Sequence, residues 1–83
     1  MQKKEVLNEI SSICKNVFND PGLEVNEKTS AKDVEGWDSM SNLFLIDAIE
    51  SHYHMKFSLD DILHAQNIGD LCDLVLKKKV SRA

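Results

Sequence analysis

The residue best placed for chemistry in this 83-residue sequence is Ser39, which follows Asp38 where a loop gives way to a predicted helix. A helix N-terminus presents unpaired backbone N–H groups and a partial positive charge. A phosphate ester on the Ser39 hydroxyl would therefore lie in a favourable electrostatic field. A second interpretation is also open, because serine is a frequent capping residue at this position.

The other nucleophilic and metal-binding residue types are scattered along the chain. Cys14 and Cys72 have no CxxC or Cys/His spacing and occupy apolar helical positions, which is typical of small core residues in a reducing cytoplasm. His52 and His54 are two positions apart and do not share a helix face, and His64 falls on another helix. The sequence has no nucleophile elbow and no glycine-rich phosphate loop. We therefore expect no catalytic residue and no metal site.

Negative charge is concentrated in the middle of the chain. Residues 19–76 contain twelve acidic residues and three lysines, a local net charge of −9, whereas the whole chain carries −4. Such a surface repels phosphate backbones, so nucleic acid is excluded as an expected ligand and basic protein partners are favoured.

No segment is apolar enough to suggest a membrane span or a signal peptide. The longest apolar run is residues 43–46, far below the ~20 residues that cross a bilayer. Polar residues at positions 5, 8 and 9 interrupt any secretory signal. We expect a cytoplasmic protein, and by default a monomer.

Apolar spacing predicts helices and no strand. Residues 3–18 carry apolar side chains at three- and four-residue steps, and the Asn-Asp-Pro-Gly at 19–22 ends this first helix. A long loop follows, with one capped turn at 29–33 and four apolar residues spaced as anchors. These anchors are Leu23, Val25, Val34 and Trp37. A second helix is predicted at residues 39–53, with Asp38 or Ser39 as its cap.

Two further helices complete the predicted fold. A Ser-x-x-acid capping box opens a short third helix at residues 59–65. Asn67-Ile68-Gly69-Asp70 caps a fourth helix, whose inward residues are Ile68, Leu71, Cys72 and Val75. The expected fold class is all-α, a small four-helix bundle of three long helices and one short one, in a single domain of residues 1–83.

The second helix has two faces that do not look solvent-exposed. Its core stripe consists of Leu45, Ile46, Ile49 and Tyr53. Its other side carries the apolar residues Met40, Leu43 and Phe44 among the acids Asp47 and Glu50. Either Met40 and Phe44 tuck under neighbouring elements, or they form a partner-docking patch beside Ser39, which is the interpretation we prefer.

Four segments give the sequence a family resemblance. They are Val-Glu-Gly-Trp-Asp-Ser-Met at 34–40, Ile-Glu at 49–50, Phe-Ser-Leu-Asp-Asp at 57–61 and Asn-Ile-Gly-Asp-Leu at 67–71. In this order and spacing they resemble the acyl carrier protein family, whose Asp-Ser-Leu motif accepts a 4'-phosphopantetheine arm. The resemblance implies that a phosphopantetheinyl transferase uses coenzyme A to load this arm onto Ser39. It also implies that the arm's thiol holds acyl groups as thioesters and that the protein itself is not an enzyme.

The resemblance further implies where partner enzymes dock. Acyl-loading, acyl-modifying and acyl-transfer enzymes would contact the second and third helices. The expected docking residues are Asp38, Met40, Leu43, Phe44, Asp47, Glu50, Asp60, Asp61 and Ile68. The tethered acyl chain could shelter among Leu45, Ile46, Ile49, Ile62 and Leu71.

Several residues depart from the family pattern of primary fatty acid synthesis. That pattern has leucine where Met40 stands, an acid where Phe44 stands and proline where Ser58 stands. The departures favour a specialised carrier for lipid, polyketide or cell-envelope modification. An aspartate at position 38, where peptidyl carriers tend to have glycine, argues against aminoacyl or peptidyl cargo without excluding it.

Two hypotheses from other functional classes stay open. The first is an unmodified helical adaptor that binds partners through the same acidic face. The second is a small enzyme that uses Ser39 as a nucleophile, which the lack of a neighbouring base disfavours.

Overall fold

A computed structural model describes residues 2–81, and this part of the chain forms four α-helices and one 3₁₀ turn. The helices are α1 (Lys3–Val17), α2 (Ser39–Tyr53), α3 (Leu59–His64) and α4 (Ile68–Ser81), and the 3₁₀ turn is Ala31–Asp33. No strand occurs within these residues, apart from one isolated bridge between Ser30 and Asn67. The all-α prediction is confirmed. Met1, Arg82 and Ala83, the ends of the expected domain, lie outside the described residues.

The core is built around α1, which packs against both α2 and α4. Each of the three long helices contributes an apolar stripe at three- and four-residue steps, so that one face of each is buried. The α1 stripe is Val6, Ile10, Ile13 and Cys14; the α2 stripe is Leu45, Ile46, Ile49 and Tyr53; the α4 stripe is Ile68, Leu71, Cys72 and Val75. The predicted inward faces of α2 and α4 are therefore confirmed.

The long loop between α1 and α2 is anchored at four apolar positions, as predicted. Val34 and Trp37 are buried, and Leu23 and Val25 pack partly buried against the core. The Trp37 ring lies 5.9 Å from the ring of Phe18 at the end of α1.

Backbone hydrogen bonds fasten this loop across the start of α4. The amide of Ile68 donates to the carbonyl of Thr29 at 2.9 Å, and the amide of Gly69 donates to the carbonyl of Glu27 at 2.8 Å. First-turn amides of a helix have no acceptor within the helix. The loop thus satisfies two α4 donors and at the same time fixes its own path.

Lys3 ties the same loop to α1 and α4. Its Nζ lies 2.8 Å from Glu27 Oε1 and 3.0 Å from Asp73 Oδ1. The hydrogen bonds to these two carboxylates raise the pKa of Lys3. All three groups stay partly exposed, so the cluster orients the loop more than it stabilises the fold.

The expectation that Ile68 takes part in docking is wrong. Its side chain is 0% exposed in the core, and its amide is bound by Thr29. The loop covers this end of α4, so no partner can reach Ile68 without displacing residues 27–29.

No helix of the described residues is long and apolar enough to cross a membrane.

Candidate functional site

Ser39 is the first residue of α2 and is exposed to solvent. Asp38 caps the helix: its Oδ1 accepts a hydrogen bond from the amide of Ser41 at 2.9 Å, and its carbonyl accepts one from the amide of Asn42 at 2.8 Å. The hydroxyl of Ser39 makes no hydrogen bond to any residue that the structure describes. Of the two caps that the sequence left open, Asp38 thus takes the role, and the Ser39 hydroxyl is left accessible.

The junction that presents Ser39 is held from both sides. The Ser41 hydroxyl donates to the Gly36 carbonyl at 2.7 Å, and Trp37 Nε1 donates to Asn42 Oδ1 at 3.1 Å. Gly36 has a φ of +88°, in the left-handed region that glycine enters without steric cost. These contacts join the last loop residues to the first turn of α2 and so fix the direction in which Ser39 points.

The electrostatics at Ser39 suit an anionic ester. The amide of Ser41, followed by weaker hydrogen bonds, lowers the pKa of Asp38, so this carboxylate is ionised at neutral pH. Its charge is directed at the amides of the first turn. A phosphodiester on Ser39 would meet the positive end of the α2 dipole on an exposed side.

A shallow groove of about 400 Å³ opens beside Ser39. Three elements meet there: the 3₁₀ turn, the start of α2 and the segment that joins α3 to α4. Its lining residues are Ala31, Trp37, Asp38, Ser39, Asn42, Ala65 and Gln66. The groove mixes amide side chains with apolar surface, so its lining fits a flexible arm that itself contains amide groups and alkyl groups.

The geometry gives Ser39 no catalytic partner. Among the described residues no side chain accepts a hydrogen bond from its hydroxyl, and no group of three potential metal ligands occurs. His52 lies 3.1 Å from Glu9 and His64 lies 3.5 Å from Asp60, both away from this serine in the chain.

The apolar docking candidates on α2 are exposed. Met40, Leu43 and Phe44 keep 67%, 62% and 61% of their accessible surface. The alternative in which Met40 and Phe44 tuck under neighbouring elements is wrong. Asp47, one turn further along, is also exposed.

Glu50 is turned inward, contrary to its expected place in the docking rim. Its side chain is 12% exposed, and its Oε2 accepts a hydrogen bond from the amide of Phe57 at 2.8 Å. Glu50 therefore clamps the segment between α2 and α3 and is not available to a partner as a free carboxylate.

Asp61 is also engaged within the fold. Its carboxylate accepts from the amide of Ser58, while Ser58 Oγ accepts from the amide of Asp61 at 3.0 Å. Lys78 Nζ lies 3.2 Å from Asp61 Oδ2. The Ser58 amide and then Lys78 lower the pKa of Asp61. Asp60, by contrast, projects into solvent with 83% of its side chain exposed.

Two exposed residues were missed by the sequence analysis. Leu59 and Leu63 on α3 are 72% and 69% exposed. Their spacing of four residues puts them on one helix face, which was the available signal.

The predicted acyl-sheltering residues lie in or against the core. Leu45, Ile46, Ile49 and Leu71 are buried, and Ile62 packs against them partly buried. Whether an acyl chain enters among them stays a prediction.

Both cysteines are free and buried thiols, as expected of core residues. Burial raises the pKa of Cys14 to about 12 and the pKa of Cys72 to about 11. At neutral pH both are protonated and unreactive.

Comparison with known proteins identifies a family and a similar solved structure. The profile of a family described as "Phosphopantetheine attachment site" matches residues 7–75. A solution NMR structure of holo acyl carrier protein from Geobacter metallireducens is similar to this chain with 37% sequence identity and a TM-score of 0.84. The likeness covers 94% of this chain and 93% of that chain. A search of curated proteins returned no significant match.

Proposed function

Because the chain belongs to the acyl carrier protein family, whose members are phosphopantetheine carriers and not enzymes, we propose that Ser39 is the residue that holds its 4'-phosphopantetheine arm. When bound, the arm supplies a terminal thiol on which acyl groups are held as thioesters. The protein delivers these groups to partner enzymes and performs no chemistry on them itself.

The observation that carries this assignment is the difference between Ser39 and Ser41. Both lie in the first turn of α2, yet the Ser41 hydroxyl is bound to the Gly36 carbonyl and its amide to Asp38. The Ser39 hydroxyl is exposed and unbound among the described residues. Only Ser39 is therefore free to attack a phosphorus atom in the active site of a transferase.

Intact mass spectrometry tests the assignment with a matched control. The apo protein is incubated with coenzyme A and a broad-specificity phosphopantetheinyl transferase, alongside Ser39→Ala and Ser41→Ala. We expect the wild type and Ser41→Ala to gain one phosphopantetheine and Ser39→Ala to gain none. Circular dichroism checks that each variant keeps its helices. An arm on Ser39→Ala would contradict the site assignment.

The same experiment separates the carrier from the unmodified adaptor and from the nucleophilic enzyme. If the protein is an adaptor, its Ser39→Ala variant binds partners as well as the wild type does, and the wild type gains no mass. An enzyme that uses Ser39 as a nucleophile would be labelled there by a serine-reactive phosphonate without any transferase.

We further propose a specialised pathway of lipid, polyketide or cell-envelope modification. The support is the apolar character of the exposed helix faces, where Phe44 stands at a position that is acidic in the carriers of primary fatty acid synthesis. We expect the enzymes of primary fatty acid synthesis to elongate acyl groups on this protein at least tenfold more slowly than on their own carrier. Equal rates would contradict this proposal. Aminoacyl cargo on the protein isolated from its source would favour the peptidyl-carrier alternative.

The remaining proposals concern the state of the protein. We propose that residues 1–83 act as a single carrier domain and as a monomer, which light scattering on the purified protein tests. Two free buried thiols support a reducing compartment such as the cytoplasm.

A further inference from the structure

The side-chain amide of Asn42, one turn along α2 from Ser39, is held by one of its two polar atoms. Its Oδ1 accepts a hydrogen bond from Trp37 Nε1 at 3.1 Å. An indole N–H can only donate, so it must face the oxygen of an amide and not the nitrogen. Trp37 therefore fixes which way the amide is turned, and Asn42 Nδ2, with its two N–H donors, is the atom left over.

This amide nitrogen has no partner within the protein. No described residue accepts a hydrogen bond from Asn42 Nδ2. The atom is also accessible to solvent, because Asn42 has no buried polar atom without a partner. A donor in this state can bind an acceptor that arrives from outside the fold.

Asn42 lies beside Ser39. The two residues are three positions apart on α2, the spacing of neighbours on one helix face. Both also line the groove of about 400 Å³ at the start of this helix. A group attached to the Ser39 hydroxyl therefore begins next to the Asn42 side chain.

Most other polar groups at this junction are already engaged. The amides of Ser41 and Asn42 both donate to Asp38, and the Ser41 hydroxyl donates to Gly36. Neither α2 nor the lining of the groove contains a lysine or an arginine. The negative phosphodiester of the arm thus meets no cation here, and a neutral N–H donor is what the site can offer it.

Gln66 is the other side chain of the groove that carries free N–H donors. It is exposed, and no described residue holds its side-chain amide in one orientation. Such a side chain loses rotamer freedom when it binds. Asn42 has already lost that freedom to Trp37, whose ring packs against Phe18, so Asn42 is the preorganised donor.

We propose that Asn42 Nδ2 donates a hydrogen bond to a non-bridging oxygen of the phosphodiester on Ser39, with the Trp37 indole fixing the orientation of the amide. Asn42 is then a second cofactor-binding residue, one that holds the base of the arm without a covalent bond. The inference rests on the proposed function, because it takes Ser39 as the attachment point. A hydrogen bond to a charged oxygen is stronger than one between neutral groups.

The side-chain amide signals in ¹⁵N–¹H NMR spectra of the apo and the loaded wild-type protein test this bond directly. The Asn42 signals are assigned by their absence from the spectrum of Asn42→Asp. We expect loading to move an Asn42 amide proton downfield by more than the amide protons of Gln66 and of Asn8, which is exposed on α1.

Thermal melts of Asn42→Asp before and after loading give an independent test. The aspartate keeps an acceptor for Trp37 but replaces the donor with a negative charge. We expect apo Asn42→Asp to be as stable as the apo wild type, because a carboxylate near the start of a helix is favourable. The indole N–H signal of the one tryptophan checks that the bond from Trp37 persists.

Loading should then act in opposite directions on the two proteins. We expect it to raise the Tm of the wild type and to lower that of Asn42→Asp, with the two responses roughly 4–8 °C apart. Asn8→Asp is the matched control, since it makes the same substitution away from the arm, and its response should equal that of the wild type. Gln66→Glu, which places a charge at the other candidate donor, should keep most of the gain.

Three results would overturn the inference. If the Asn42 signals do not move on loading, the side chain does not bind the phosphate, while the carrier function stands; these wild-type spectra decide the question even if Asn42→Asp is loaded too slowly for the melts. If Gln66→Glu loses the gain in Tm and Asn42→Asp keeps it, the donor is Gln66. If the wild-type protein is not loaded at all, the proposed function fails and the inference fails with it.

Discussion

Gly69 is the residue at which the close approach of the long loop to α4 is most directly testable. A Cβ at this position would lie 2.8 Å from the backbone carbonyl oxygen of Glu27 and 3.1 Å from the Glu27 Cβ. The Gly69 amide donates its hydrogen bond to the same Glu27 carbonyl. An alanine can therefore be accommodated only if the loop moves away from the helix.

The expected cost follows from what this movement breaks. The hydrogen bond from Gly69 to Glu27, and the neighbouring bond from Ile68 to Thr29, each contribute about 1 kcal/mol. Overpacking adds about 1–3 kcal/mol, and the better helix propensity of alanine offsets up to about 1 kcal/mol. We expect Gly69→Ala to lower the free energy of unfolding by about 2–4 kcal/mol. For a domain of this size that corresponds to a fall in Tm of roughly 10–30 °C.

Two other glycines supply matched controls. At Gly22 the nearest atom to an added Cβ is Asp20 Oδ1 at 3.7 Å, an ordinary contact, so Gly22→Ala should be neutral or stabilise by up to about 1 kcal/mol. At Gly36 there is open space but a φ of +88°, so Gly36→Ala should cost about 1–2 kcal/mol through backbone strain alone.

The assay is urea and thermal unfolding of the three variants, followed by far-UV circular dichroism. The reasoning predicts that Gly69→Ala is the least stable of the three. A Gly69→Ala protein as stable as the wild type would show that helix propensity prevails and that the loop does not hold its position against α4.

Three further predictions concern the α2 junction, the titrating caps and the cysteines. Asn42→Ala removes the acceptor of Trp37 Nε1 and should lower the free energy of unfolding by about 1 kcal/mol. Unfolding is followed by the fluorescence of the one tryptophan, with the exposed Ser51→Ala as the control. If Asn42→Ala is as stable as the wild type, the hydrogen bond does not hold the loop. Asp38 and Asp61 have folded-state pKa values below their usual 3.8, so they stabilise the fold above about pH 4 and this contribution is lost as the pH falls through the lower folded values. The urea concentration at the unfolding midpoint should therefore fall as the solution is made acidic, and it should fall less in the double variant Asp38→Asn/Asp61→Asn. A double variant with the same acid response as the wild type would contradict the capping roles. Finally, a thiol reagent at neutral pH should find no reactive thiol in the native apo protein, because Cys14 and Cys72 are buried. It should find two thiols in urea, and one in the native loaded protein, which is the thiol of the arm. A reactive thiol in the native apo protein would contradict the burial of the cysteines.

The sequence predicted those features that depend on local periodicity and capping. The range of α2, Ser39–Tyr53, follows from Asp38 as a cap and from the spacing of Leu45, Ile46 and Ile49. The same local signals place Ser39 at the start of this helix, whereas its proposed modification comes from the family resemblance.

What the sequence missed depends on contacts between segments far apart in the chain. Glu50 was assigned to the docking surface from its place on α2, but the chain after α2 turns back and places the amide of Phe57 on its carboxylate. Ile68 was assigned to docking by family analogy, whereas its own apolar spacing already predicted burial. Leu59 and Leu63 share a face through their four-residue spacing, but they escaped notice because α3 has only six residues and so offers a single such pair instead of a repeating pattern.

The attachment of the phosphopantetheine arm to Ser39 is tested most directly at the peptide level. After loading with coenzyme A and transferase, trypsin releases residues 33–56, which contain Ser39, Ser41 and Ser51. Tandem mass spectrometry of this peptide distinguishes the three serines. We predict a single arm on Ser39 with the other two unmodified, whereas an arm on Ser41 or Ser51, or an unmodified peptide, would contradict the proposed role of Ser39.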